Sequence, residues 1–239
     1  MGQLHQQRLP GESEDYRAAR DRLLEAEMAL RVQVETVAAL RRDLPRGGLL
    51  KEDYVFEEGG AELSDSEAVA RTRLSELFAP GRDSLVLYGF MYAPDGQPCP
   101  MCNAFLDGLD GNAPHIAQRT NLAVVAKAPI GKIRDWARAR GWNNLRLLSS
   151  GSCSYNSDYL AETPAGEQLP IVNVFQKTEG GIYHRYASEM FFVPSEPGQH
   201  PRHVDHLWPL WNLLDLTPEG RGSDWFPQYA YDRPERTPR

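Results

Sequence analysis

"SLVLYGFMYAPDGQPCPMCNAF", residues 84–105, sets an apolar and aromatic run, a polar loop and two cysteines in that order. Ser84 to Tyr92 lacks polar alternation, so it reads as a strand buried on both faces. "APDGQP", residues 93–98, carries two prolines and a glycine and must turn. Pro100 suits the first turn of a helix, where its missing N–H is not needed. A helix therefore begins at the cysteines, and Cys99 meets unpaired backbone N–H groups and the positive end of the helix dipole. Both favour thiolate, and such positions draw a cysteine pKa from about 8.5 into a range of roughly 3.5–7.5. Cys102 lies one turn further on, placed to attack a mixed disulfide formed at Cys99.

Outward from this stretch the pattern repeats. "LAVVAKA", 122–128, is a second buried strand, and "LRLLSS", 145–150, a third. Between them "GKIRDWARARGW" places Ile133, Trp136 and Ala137 on one helical face and stops at Gly141. Strand, helix, strand, helix, strand with short loops is the pattern of a parallel sheet with right-handed crossovers. The helix after Cys102 is expected to falter at Gly108, Gly111 and Pro114, with Asp107 and Asp110 facing water. "PIVNVFQKTEGGIYHRYA" holds two strand-like runs meeting at Glu179-Gly180-Gly181, so an antiparallel hairpin closes one edge. Upstream, "DYVFEE" alternates as a strand, and "SEAVARTRLSELF", 66–78, reads as a short helix closed by Pro80-Gly81. The Trp- and Leu-rich stretch "HPRHVDHLWPLWNLLDLTP" is expected to form a helix that covers the sheet.

At the N-terminus Ser13 is an N-cap, with Glu14 and Asp15 in the favoured first turn. Leu23, Ala26, Leu30, Val34, Val37, Leu40 and Leu44 form one apolar stripe up to "LPRGG". A helix of about thirty residues is roughly 45 Å long. It lies across its own domain or pairs with a second copy, which makes a homodimer one expectation. The expected division is an N-terminal helical extension, 1–48, and an α/β domain, 49–239, with a central mixed sheet flanked by helices.

The 239 residues carry a net charge of −7 with 41% hydrophobic content. That balance argues against a nucleic-acid partner, which would need a basic stripe. No apolar run is long enough to span a membrane, and the first residues lack a secretory pattern. Three cysteines are too few for a disulfide framework, so a reducing cytoplasm is the expected compartment. No phosphate loop, dinucleotide glycine pattern or serine elbow is present.

Buried strand, loop, Cys-x-x-Cys, helix, crossover and antiparallel hairpin together resemble the thioredoxin fold. "CPMC" is similar to a glutaredoxin-type motif with proline second. The resemblance implies a thiol–disulfide oxidoreductase with Cys99 attacking and Cys102 resolving. It needs no bound cofactor, only an external thiol reductant and a protein or small-molecule disulfide as partners. The resemblance also implies a cis-proline facing the cysteines, which here is Leu169-Pro170 in "QLPIVNVF", as the substrate-aligning segment. The blocks "EDYRAARDRLLEAE", "KEDYVFEE", "LSELFAPGRDSLVLYGFMYAPDG", "CPMCNAFLDGLDG" and "LLDLTPEGRGSDW" resemble the bacterial family called domain of unknown function 899, which is thioredoxin-like in fold.

Other readings stay open. The order of strands and helices also resembles peroxiredoxins, but these place Thr or Ser three residues before the reactive cysteine, and Gly96 stands there. A non-catalytic fold that binds a partner through its long helix and aromatic tail is the third. Cys153 follows the third parallel strand and is a possible third thiol, either approaching the pair or lying buried and inert. One Cys-x-x-Cys supplies two of the four ligands that structural zinc requires, so no metal is expected there. His200, His203 and His206 recur every three residues, and a packing role is expected over a metal one. Trp208, Trp211 and Trp225 are expected in a core or at a dimer surface.

Overall fold

The computed structural model describes residues 6–231 and divides into two units between Pro45 and Arg46. The first contains helix α1, Glu14–Asp43. Ser13 Oγ accepts from the Tyr16 N–H at 3.1 Å, and Glu14 and Asp15 occupy the first turn. Arg41 and Arg42 complement the dipole in the last. Leu23, Leu30, Val34 and Leu40 of the apolar stripe are exposed. Among the described residues no helix is long and apolar enough to cross a membrane.

The second unit is built on one seven-stranded sheet. Its strands are β1 (Val55–Gly59), β2 (Val69–Arg73), β3 (Ser84–Gly89), β4 (Asn121–Ala126), β5 (Leu147–Ser149), β6 (Ile171–Thr178) and β7 (Gly181–Ala187). They lie in the order β2-β1-β5-β4-β3-β6-β7. β3, β4 and β5 are mutually parallel, joined through helices α2 (Pro100–Ile116) and α3 (Ile130–Arg140), and the one-turn helix α4 (Tyr155–Asp158) follows β5. β6 and β7 form the expected hairpin, and β6 pairs antiparallel with β3. This is the thioredoxin-like arrangement, with the cysteine-bearing helix leaving the strand at the centre of β4-β3-β6-β7.

The pleat divides the core in two. Tyr88, Val124, Ala126, Leu147 and Val172 face one cluster together with Cys102, Leu106 and Trp142. Leu85, Leu87, Val125, Leu148 and Phe175 face the other together with Tyr54, Phe56 and Tyr155. Consecutive residues thus bury opposite faces, which explains why β3 and β4 read as continuous apolar runs.

Several expectations are corrected. Residues 66–78 form β2 and a single 3-10 turn, Leu74–Leu77, where the sequence suggested a helix. Asp65 Oδ1 accepts from the Glu67 and Ala68 amides at 3.1 Å and turns the chain, after which all five residues of β2 pair with β1. The β1 edge supplies a ladder that outweighs a weak helical preference. α2 runs through Gly108, Gly111 and Pro114, because Leu106 and Ala113 bury one face and Pro114 falls only in the last turns. Asp110 is buried, accepting from the Asn144 backbone and side-chain N–H groups at 2.8 and 3.1 Å. Asp107 is exposed yet accepts from Trp142 Nε1 at 2.8 Å. Residues 200–218 contain only the short helix α5, Pro209–Leu214, since Pro201 and Pro209 break the run. Trp208 and Trp211 are buried, while Trp225 is exposed.

Arg134 on α3 pins the β1–β2 connection. Its guanidinium donates to the carbonyls of Gly60 (2.9 Å), Glu62 (2.7 Å) and Asp65 (2.9 Å). A Cβ on Gly59 would lie 2.3 Å from Arg134 Cδ, and the three bonds keep that side chain from moving aside. Gly59→Ala is expected to destabilise the protein by about 1–3 kcal/mol in urea unfolding. Combined with Arg134→Ala it should cost clearly less than the sum of the two single changes.

Candidate thiol site

Cys99 is placed by its backbone. After β3 the chain crosses the sheet end, where Phe90 donates to Val125 O (2.8 Å) and Ala128 donates to Tyr92 O (2.9 Å). The loop returns so that the Cys99 N–H donates to Met91 O at 3.0 Å. Cys99 is the N-cap of α2 and Pro100 fills its first turn, as the sequence suggests. The Cys99 carbonyl accepts from the Asn103 N–H (3.0 Å) and from Asn103 Nδ2 (2.9 Å). Asn103 is fully buried, and its Oδ1 accepts from Trp136 Nε1 at 2.7 Å. α3 thereby fixes the start of α2.

All three cysteines are free thiols. The hydrogen bond from the Cys102 thiol is the largest influence on half-buried Cys99. Burial opposes it, the Cys102 and Met101 N–H groups reinforce it, and the Cys99 pKa falls to about 6. Cys102 is buried and moves the other way, raised first by its hydrogen bond with Cys99 and then by burial. The Tyr88 hydroxyl, also at Cys102, partly offsets that rise. Tyr88 is itself raised by burial, so its phenol stays protonated. The pair is polarised at neutral pH into an anion on Cys99 and a thiol on Cys102.

A cavity of about 320 Å³ opens beside the pair. Tyr88, Met91, Met101 and Phe105 line it together with Cys99 and Cys102, as do Pro170, Phe191, Val204 and Trp208 from later in the chain. Among the described residues no peptide bond is cis, so Leu169–Pro170 is trans, the form X–Pro bonds favour by about 0.5–1 kcal/mol. Pro170 nonetheless lines the same cavity as the thiols, whereas the Leu169 N–H is bonded to Ala161 O at 2.8 Å.

Cys153 is not brought to the pair. It packs with Tyr54, Tyr155 and Tyr159 against the opposite face of the sheet, and burial raises its pKa. Its strand does end on the cysteine side, but the chain after β5 turns under the other layer. His200, His203 and His206 do not converge either; among the described residues no three His, Cys, Asp or Glu side chains are placed to hold a metal. His203 packs edge-on against Phe191 in the cavity wall, where burial lowers its pKa and keeps it neutral. His200 Nδ1 accepts from the Arg202 N–H at 3.1 Å.

Tyr88, Asn103 and Tyr229 escape the sequence reading. Tyr88 carried a usable signal, since alternation from Val86 puts it on the face that receives the helix after the cysteines. Asn103 and Tyr229 carried none, because their partners are remote: Tyr229 Oη donates to Pro98 O at 2.5 Å.

The family model described as "Bacterial protein of unknown function (DUF899)" matches residues 6–233. The chain belongs to this family. No curated protein matches it. Among solved structures, reduced Prx3 of Vibrio vulnificus in complex with H2O2 is 15% identical, with 66% of this chain and 91% of that one covered at TM-score 0.45. The reduced 2-Cys peroxiredoxin of Plasmodium vivax is 16% identical over 66% and 96%, at TM-score 0.42. A putative thioredoxin reductase from Burkholderia cenocepacia is 16% identical over 66% and 90%, at TM-score 0.45.

For this DUF899 chain, thiolate absorbance is expected to show one group titrating near pH 6 that vanishes in Cys99→Ser. Cys102→Ala removes the donor and should raise that pKa by roughly a unit or more. Between about pH 6 and the ordinary thiol value, the folded chain binds fewer protons at Cys99 than the unfolded chain. Stability from this group therefore rises with pH across that window and is lost below it. Urea unfolding of wild type against Cys99→Ala should show the excess slope in wild type alone.

Proposed function

We propose that the protein is a thiol–disulfide oxidoreductase in which Cys99 is the nucleophile and Cys102 the resolving thiol. The observation that carries this reading is the placement of two free thiols within one helical turn, Cys99 half-buried at the start of α2 and Cys102 buried behind it, which shifts their ionisation in opposite directions. Cys99 thiolate attacks one sulfur of a disulfide, a Cys99 mixed disulfide forms, and the first thiolate departs and takes a proton from solvent. Cys102 then loses its proton, attacks Cys99 Sγ and expels the second thiol. The substrate gains two electrons, and the protein is left with a Cys99–Cys102 disulfide that an external dithiol reduces again.

The attacking sulfur needs a low pKa, and the resolving one must stay protonated until the mixed disulfide removes the anion beside it. Once Cys99 is derivatised it no longer raises Cys102, so resolution follows capture. Tyr88 supplies a hydrogen bond to the Cys102 thiolate as it forms. Pro170, across the cavity, bounds the disulfide's approach.

Peroxidase chemistry lacks its expected hydroxyl, because Gly96 occupies the position three before Cys99. Treatment with oxidised glutathione separates the readings by intact mass. Wild type is expected to end as an intramolecular disulfide, Cys102→Ser to stop with one glutathione on Cys99, and Cys99→Ser to remain unmodified at the pair. Derivatisation of Cys153 in preference to Cys99, or cysteine-dependent peroxide consumption with no disulfide exchange, overturns the reading.

A further inference from the structure

We infer that the cavity beside the thiols binds the apolar arm of a small-molecule disulfide, so that the reaction selects low-molecular-weight disulfides carrying an aromatic or branched alkyl group. The inference rests on the dithiol reading above and adds to it the class of substrate.

Apart from the Cys99 thiolate itself, the cavity wall holds no charged side chain; its residues are aliphatic, aromatic or sulfur-bearing, with the Tyr88 hydroxyl and the His203 ring, which burial keeps neutral, as its polar groups. Its volume of about 320 Å³ lies at the lower end of the range for small-molecule sites, about 300–1,000 Å³. Cys99 and Cys102 form part of the same wall, so an arm seated there carries its sulfur to Cys99. A second cavity, about 550 Å³ between α2 and α5, shares Phe105, Leu207 and Trp208 with the first, so a longer arm meets further apolar surface.

The surroundings disfavour an extended peptide. Phe191, Phe192, His203, Val204, Leu207 and Trp208 line the cavity together with Pro170 and the two cysteines. Next to Cys99 in sequence, the Pro98 carbonyl accepts from Tyr229, which packs edge-on against Trp136 at 5.6 Å and accepts from Arg140 through its own carbonyl. The Leu169 N–H, which a substrate strand would need, is already paired within the chain. Half-buried Cys99 therefore meets a mostly apolar cavity lined in part by the segment around 191–208, with Tyr229 bonded at the residue before it. Charged or peptide-bearing disulfides would leave polar groups unpaired there.

The test is single-turnover oxidation of the reduced protein by dibenzyl disulfide and by oxidised glutathione, followed by intact mass. Burying one benzyl arm should give a rate at least about tenfold higher for dibenzyl disulfide, after correction by the two rates with free dithiothreitol. Dibenzyl sulfide has the arms but no reducible bond. It should slow both that reaction and Cys99 alkylation by iodoacetamide in the wild-type protein. Val204→Trp, which fills the cavity, should pull the rate ratio toward one. Equal corrected rates with no protection by the sulfide sink the cavity inference and leave the dithiol chemistry standing. Failure of both disulfides to oxidise the pair sinks the dithiol reading itself. Faster consumption of benzyl hydroperoxide than of dibenzyl disulfide assigns the cavity to a different substrate class and overturns the inference.

Discussion

One hydrogen bond, from the Cys102 thiol to the Cys99 sulfur, organises the site. It helps one sulfur carry charge while holding a proton on its neighbour, which burial also keeps protonated. Two thiols in an apolar layer would ordinarily both be driven neutral by burial. Here the open end of α2 adds the Met101 and Cys102 N–H groups, and the sum exceeds the cost of desolvating Cys99. The chemistry thus depends on where a helix begins, and its beginning is fixed by remote residues. Asn103 holds the Cys99 carbonyl, Trp136 holds Asn103, and Met91 receives the Cys99 N–H.

That dependence explains which parts of the site were legible. Pro100 beside Cys99 states locally that a helix starts, and the apolar run from Ser84 to Tyr92 states that a buried strand precedes it. Both signals are short-range, and so is the Glu179-Gly180-Gly181 corner of the hairpin. The β4-β3-β6-β7 part of the sheet follows from these three. By contrast, "VARTR" carries no preference strong enough to decide its own state, and it becomes a strand only because β1 has an edge to pair. Pro170 could be placed opposite the thiols by its position before β6, but its isomer could not, since tertiary contacts choose between forms that differ by about 0.5–1 kcal/mol.

Cys153 shows how a sound topological rule can mislead at the scale of a side chain. Loops after parallel strands gather at one end of the sheet, and β5 obeys. The rule says nothing of which layer the following segment enters. Tyr155 and Tyr159 draw it into the cluster around Phe56 and Phe175, beneath the face that Cys99 does not share. Cys153 is thus separated from the pair by the sheet.

The largely apolar cavity wall is itself a product of charge placed elsewhere. The segment bearing His203, Val204, Leu207 and Trp208 lacks long regular structure and could not hold its shape by backbone bonds alone. Buried Arg221 anchors it, donating to Asp205 Oδ1 at 2.8 Å and Oδ2 at 2.9 Å, and also to Asp215. Burial alone would raise Asp205, but the hydrogen bonds and charge of Arg221 outweigh it and keep the carboxylate ionised. Arg202 adds a second cation to both acids. Buried ion pairs of this kind contribute little net stability, because desolvation consumes most of their attraction. Their value here is geometric: they hold an irregular segment in one conformation without placing a charge in the wall that meets the thiols. A wall fixed from behind in this way leaves few polar groups among its lining residues, chiefly the Tyr88 hydroxyl and the His203 ring, so most of what the thiols face is apolar surface.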